Sequence, residues 1–310
     1  MSQVIKNRSE ILFLYDLKDA NPNGDPLDEN KPRIDEETGI NIVTDVRLKR
    51  TIRDYFINYK SYDGSADKDI FVKEIADEKG FIQDGKTRAK DFNENPDEVL
   101  KKCIDVRLFG AVIPIEKASI TYTGPIQFKM GRSLHRVVIK HIKGTGAFAS
   151  KPGSKQATFR EEDILPYSLI CFYGVINENA AKHTNLSEDD VNLLLEAMWN
   201  GTKNLISRSK VGQIPRFLCK VNYKEPNYHI GDLEKLIELK KEIEDEKLRD
   251  ISEVKIDMTS LIKKFEENKD KILNIDYLLD DRVKFLYEDK DFKISDVKDK
   301  VGIEINLIRI

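Results

Sequence analysis

The chain has 310 residues, of which 40% are hydrophobic and 35% charged, with a formal net charge of −3. That composition supports a folded protein with a heavily charged surface and excludes a disordered chain. The longest apolar run, YSLICFYGVI at 167–176, has 10 residues and is too short to span a bilayer. The first residues, MSQVIKNRSE, are too polar for a signal peptide. Cys103, Cys171 and Cys219 are far apart with no CxxC pair, which argues against a disulfide framework or zinc knuckle and points to a reducing cytoplasm.

In chain order, EILFLYDLK (10–18) predicts a buried strand that stops at the turn-rich loop DANPNGDPLDEN (19–30). IVTDVRLKRTIRDYFINY (42–59) predicts a helix capped by Thr44 or Asp45, with Leu48, Ile52, Tyr55 and Tyr59 at helical spacing and Arg47, Lys49, Arg50 and Arg53 mostly on other faces. Residues 60–105 are polar, with short helical candidates near 67–77 and 96–104, and suggest an insertion rather than a second core. ASITYTGPIQFKM (118–130) alternates as a strand does and breaks at Gly124-Pro125. From Arg132 to Arg160, a stretch containing KGTGAFASKPGSKQA has no clear period and predicts a long mobile loop or hairpin, of the kind that usually binds something.

LPYSLICFYGVIN (165–177) is a second buried strand, and Ser187 with Asp190 forms a capping box ahead of a face made by Val191, Leu194, Leu195 and Met198. IPRFLCKVNY (214–223) follows as a strand. Strand, helix, strand, strand, helix, strand is the ferredoxin-like or RRM order, so the expected class is α+β with a βαββαβ palm over 1–224. Residues 225–310 predict a charged α/β extension, with helices at 232–248 and 258–273 and strands near 283–287 and 303–309.

The small net charge hides an uneven distribution. From Lys117 to Arg160 there are nine Lys or Arg and no acid, and from Ala197 to Lys224 six Lys or Arg and no acid. From Glu225 onward, acids outnumber bases 23 to 17. The two basic windows are either solvated faces or the footprint of a polyanion.

Signatures of chemistry are weak. Asp19, Asn21, Asn23 and Gly24 fall where an EF-hand loop has its ligands and glycine, but a strand precedes them, Pro22 and Pro26 interrupt, and Asn30 stands where the bidentate Glu belongs. The loop is better explained as a strand-to-helix turn, able to offer backbone N–H groups to a phosphate. His135, His141, His183 and His229 make no metal-ligand spacing, and neither a GxSxG elbow nor a cofactor motif is present. No metal, cofactor or catalytic residue is expected.

Four segments together carry a family resemblance: EILFLYDLKDANPNGDP, VTDVRLKRTIRDYF, DVRLFG (105–110) and GQIPRFL (212–218). They resemble the backbone subunit of type I CRISPR Cascade complexes, the seventh CRISPR-associated family of the RAMP superfamily, in its subtype I-B branch. The resemblance spans most of 9–224 and implies an RRM-like palm, a helical finger insertion over about 60–117 and a thumb over about 132–160. It also implies the partners: guide RNA (crRNA), other copies of the chain in a filament, other Cascade subunits, and target DNA reached through guide pairing. By this likeness the RNA groove is lined by Asn21, Asn23 and Gly24 of the loop, by Lys49, Arg50 and Arg53 of the helix, and less directly by Arg47. Arg132, His135, Arg136, Lys140 and Lys143 are assigned by position in the thumb and its root. Reversing Lys49, Arg50 and Arg53 together is expected to abolish RNA retention without unfolding the chain. LICFYGVI lacks the RNP1 start, so backbone grip is expected rather than base stacking on the sheet. The rival is a metal-dependent ribonuclease using Asp25, with Asp19 or Asp28 as a second carboxylate.

Overall fold

The structure, a computed structural model, describes residues 3–65, 67–116, 118–149 and 157–310. The N-terminal part begins with β1 (Ser9–Ala20), β2 (Ile34–Asp35), β3 (Ile40–Val43) and α1 (Asp45–Lys60). An insertion follows, with α2 (Gly85–Lys90), α3 (Pro96–Lys102), α4 (Ile104–Phe109) and the hairpin β4 (Gly110–Ile115) and β5 (Ala118–Thr123). Then come β6 (Ile126–Phe128), β7 (Gly131–Arg136), β8 (Lys140–Ala149), β9 (Ala157–Ile176), α5 (Glu178–Thr184), α6 (Glu188–Lys203) and β10 (Ile214–Tyr223). The C-terminal part holds β11 (Glu238–Lys240), β12 (Lys255–Asp257), α7 (Thr259–Glu267), β13 (Ile272–Leu279), β14 (Phe285–Tyr287), β15 (Lys290–Phe292), α8 (Val297–Val301) and β16 (Glu304–Leu307).

One sheet organises the molecule, in the order β16-β13-β10-β1-β9-β7-β3-β2, with β6 and β8 also pairing β9. The central strand β1 is buried on both faces, which is why its sequence is an unbroken apolar run rather than an alternating one. Ile11, Phe13, Tyr15 and Leu17 pack with Leu48, Ile52 and Phe56 of α1 and with Leu194 and Met198 of α6. Leu12 and Leu14 point the other way, into a second core with Leu233, Ile251, Ile256, Leu261 and Phe265 from the C-terminal part. Strand alternation thus feeds two separate cores from one segment.

Both long helices start as their sequences predict. Thr44 caps α1, its Oγ1 accepting from Arg47 N–H at 3.2 Å, and Ser187 and Asp190 close the capping box of α6. The C-terminal part joins the palm more intimately than an appended layer. β13 extends the main sheet by pairing with β10, and β16 pairs with β13. Glu10, fully buried, receives the hydroxyls of Tyr173 and Tyr223 and the N–H groups of Ile230 and Gly231 at 2.9 and 2.8 Å. A buried carboxylate needs such a full set of donors, and here they bolt the chain at 230–231 to the sheet.

Three expected features differ. The helix expected over 232–248 is instead two 3-10 turns, Leu233–Leu236 and Asp245–Lys247, with β11 between them. Leu233, Ile237 and Leu248 bury against the sheet as an irregular cover, and that docking overrides helix propensity. The helix expected to 273 ends at Glu267, because the chain from Ile272 becomes strand β13. No helix forms near 67–77: Asp69 takes Lys73 and Arg88, while the Phe71 and Val72 amides bond Asp105. The insertion also holds a small core of its own, including Phe71, Phe92, Val99, Leu100, Cys103 and Ile113.

Of the expected loop or hairpin at 132–160, the described part is hairpin. β8 runs antiparallel to β9 from Lys140 opposite Ile164 to Thr145 opposite Phe159. Residues 150–156, with the PGSK stretch, lie outside the described residues. Among the described residues, no helix is long and apolar enough to cross a membrane.

Candidate nucleic-acid interface

The loop after β1 is held by its own asparagines. Asn21, 2% exposed, donates from Nδ2 to the Asn30 carbonyl at 2.7 Å. Asn23 Oδ1 accepts from both the N–H and the hydroxyl of Thr44, each at 2.9 Å, so the loop is tied to the residue that caps α1. Gly24 has no room for a side chain, since a Cβ there would stand 2.0 Å from Asn30 Oδ1. Asp25 pairs with Arg33 at 2.8 Å and accepts from Leu27 N–H at 3.0 Å. Asn21 and Asn23 therefore shape the turn, and Asp25 is occupied within it. Among the described residues, no group of three or more His, Cys, Asp or Glu is placed to hold a metal.

The bases of α1 separate sharply. Arg53 is 11% exposed and binds the fully buried Asp105 at 2.9 Å, with its guanidinium over the Phe109 ring. Lys49 pairs with Asp45 at 3.0 Å and also lies over Phe109. Arg50 is open to solvent but pairs with Asp54 at 2.8 Å. Arg47 alone of the four donates to a neutral group, the Thr51 hydroxyl at 3.0 Å. Its Nε is buried without a partner, and burial pushes its pKa down.

At the thumb root, His135 does not face outward. Its ring is buried against Tyr167, Nε2 accepts from Leu169 N–H at 3.2 Å, and Nδ1 meets the Arg136 carbonyl at 2.8 Å. Burial holds its pKa below the usual imidazole value, so His135 is a neutral core residue and not a surface contact. Arg132 is exposed, with Asp35 at 3.5 Å. Arg136 and Lys140 are exposed, and Lys143 pairs with Glu161 at 2.9 Å.

The acid-free windows are thus largely answered in space. Lys129 meets Asp232 and Glu234, Arg208 meets Glu162, and Arg216 lies between Asp16 and Asp280 at 2.9 Å from each. The motif DVRLFG has a similar explanation. Asp105 secures α1 through Arg53, and Arg107 secures α6 through Asp190 with bonds of 2.8 and 3.0 Å. Gly110, at φ 71°, sits where a Cβ would come 2.1 Å from the Tyr122 carbonyl oxygen.

What the structure brings together is a cleft of about 820 Å³ between the opening loop, the start of α1 and the insertion. Asn23, Gly24, Arg47, Arg50 and Arg53 line it, joined by Arg33, Lys73 and Arg88. Arg33, Arg50, Arg53, Lys73 and Arg88 all hold carboxylates. Among the described residues, Arg47 is the cleft cation with no carboxylate at ion-pair distance. The thumb-root residues Arg132, Arg136, Lys140 and Lys143 do not line this cleft. The opposite face of the sheet is closed by the C-terminal core, which leaves no open platform there for stacked bases.

One basic residue of this neighbourhood escaped sequence reasoning. Lys210, in the turn before β10, donates through Nζ to the Asn21 carbonyl and is half-buried. Burial, with Arg47 adding like-charge repulsion, lowers its pKa to about 8. It lies in the second acid-free window, but nothing local distinguishes it there from Arg208 or Lys203.

Comparison with known proteins accords with this arrangement. A CRISPR-associated protein Cas7 of Haloferax volcanii is 34% identical over 321 residues, covering 94% of this chain and 92% of that relative. Two chains of CRISPR RNA-guided surveillance complexes, one described as pre-nicking, share the fold with a TM-score of 0.52 each. They are 11% and 12% identical, over 95% of this chain and 99% and 98% of theirs. Residues 7–259 match the family described as CRISPR-associated protein Cas7, and with that span and that relative the chain belongs to the Cas7 family.

Proposed function

We propose that this protein is the guide-RNA-binding backbone subunit of a type I Cascade surveillance complex, of subtype I-B, working in the cytoplasm without catalysis. The observation that carries the reading is Arg47, a cation in a cleft of basic residues with no carboxylate of its own, in a chain of the Cas7 family. An RNA phosphate supplies the missing anion, and it does so for any guide sequence, since phosphates carry no sequence information. Base pairing of the guide with invading DNA then provides specificity.

In this reading β1, α1, β6–β7, β9, α6 and β10 form an RRM-like palm, supported by the strand order β10-β1-β9-β7 and by both helices lying on one face. Residues 60–117 act as fingers, and the β8–β9 arm acts as the thumb that reaches the next copy in a filament. The closed second face of the sheet favours backbone grip over base stacking. The ribonuclease alternative is disfavoured by Asp25, whose carboxylate is engaged by Arg33 and the turn.

The test is to purify the protein from its native host and measure absorbance at 260 and 280 nm, then sequence any bound RNA. Short RNAs sharing repeat-derived ends are expected. A sample free of nucleic acid, or RNA of random origin, overturns the proposal.

A further inference from the structure

We infer that Lys210 and Arg47 together form a seat for one phosphodiester of the RNA, with Lys210 a ligand from the turn before β10 rather than a prop for the loop. The inference rests on the RNA-binding reading and adds to it a segment, Ser207–Gln213, that lies outside both the loop and the helix.

Lys210 and Arg47 come from different elements and are brought together by the opening loop. The loop is docked onto the turn by Asn21 N–H donating to the Ser209 carbonyl at 2.9 Å, and onto α1 by Asn23 bonding Thr44. The turn is shaped for the purpose: Val211 N–H bonds the Ser207 carbonyl at 2.9 Å, and Gln213 Nε2 bonds the Lys210 carbonyl at 3.2 Å. Gly212 takes φ 96°, a left-handed value that favours glycine.

The charges around the pair show what is missing. Asp54 is the acid that acts on Arg47, but it is bonded to Arg50. Tyr15 is the other titratable neighbour, and burial keeps its hydroxyl protonated. Lys210 bonds only a carbonyl oxygen, and the charge acting on it is Arg47, which repels it. Among the described residues, no carboxylate lies at ion-pair distance from either cation, while Lys49, Arg50 and Arg53 close by are all neutralised. Holding two half-buried like charges together costs free energy that an anion bound between them returns. A phosphodiester fits, being a single negative charge with two free oxygens, one for each cation.

The experiment measures binding of a fluorescent single-stranded RNA to the full chain across a salt series, for the native protein, Lys210→Gln and Lys210→Arg. Gln keeps a donor for the Asn21 carbonyl but removes the charge, and Arg keeps the charge. The expected result is about tenfold weaker binding for Lys210→Gln, a log–log salt slope shallower by about 0.7, and recovery in Lys210→Arg. An unchanged slope in Lys210→Gln, or no recovery in Lys210→Arg, overturns the inference while leaving RNA binding itself intact. Failure of the native protein to bind RNA takes down the functional reading first. Competition with inorganic phosphate separates the sources: displacement of RNA only at molar-range salt supports a backbone phosphodiester, whereas saturable displacement by dilute phosphate marks a free-phosphate site and overturns the assignment. If Lys210→Gln does not fold, amine labelling of the native protein decides, since RNA must shield Lys210, and undiminished labelling overturns the inference.

Discussion

Arg47 and Arg53 stand six positions apart on one helix and look alike in sequence, yet they occupy opposite electrostatic situations. Arg53 is closed in against Phe109 and neutralised by Asp105, which itself accepts from Phe71 and Val72 amides at 2.8 and 3.0 Å. Arg47 opens to the cleft and has only a hydroxyl. The first is part of what holds the insertion to the palm; the second is available to an outside anion. Basic character along a helix therefore indicates where a polyanion could bind, but the carboxylates brought in from elsewhere decide which cations are free to bind it.

The comparison can be broken most forcefully at the buried pair. Asp105→Ala is expected to cost about 3–5 kcal/mol, because it strands a nearly buried guanidinium and two amides, and to lower Tm on the order of 10 °C; thermal unfolding checks it. Reversing Lys49, Arg50 and Arg53 together therefore unfolds the chain as well as changing its charge, since Arg53→Glu sets two carboxylates against each other. Loss of RNA in that triple variant would not isolate the groove.

Arg47→Gln provides the cleaner contrast. RNA affinity is expected to fall roughly tenfold, with a shallower salt dependence, while stability changes by no more than about 1 kcal/mol. If Tm falls as far as in Asp105→Ala, Arg47 is structural and the distinction collapses.

His135 extends the contrast to a titrating group. Its folded pKa lies below the ordinary imidazole value, so below that value the unfolded chain takes up more protons, and stability is lost as pH falls. Tm is expected to drop between about pH 7 and about pH 5.5, and His135→Gln is expected to flatten that slope whatever it does to stability at neutral pH. The smallest effect belongs to Arg50→Ala: its exposed pair with Asp54 is an i,i+4 contact worth about 0.3–0.5 kcal/mol. Both Tm and RNA retention should barely move.

Much was legible along the chain because it depends on local chemistry. The apolar run of β1, the Thr44 cap, the Ser187–Asp190 box and the face of α6 follow from hydrogen-bonding groups and periodicity within a few residues. The resemblance motifs were legible too, and they led to the right family. Their meaning was not. NPNGDP, DVRLFG and the Arg216 of GQIPRFL turn out to be fasteners: Asn23 to Thr44, Asp105 to Arg53, Arg107 to Asp190, Arg216 to Asp16 and Asp280.

The acid-free windows misled for the same reason. Counting charge along a sequence ignores partners a hundred residues away, such as Asp232 for Lys129, and a buried His135 looks like any other histidine in a basic stretch. The sequence by itself determined the α+β elements, the basic helix and the family. Only the tertiary structure decided that the C-terminal part closes one face of the sheet, that three of the four bases of α1 are already neutralised, and that Lys210 stands beside Arg47. Hydrogen-bonding and periodicity act between near neighbours, whereas charge compensation depends on distance in space, which the fold alone sets.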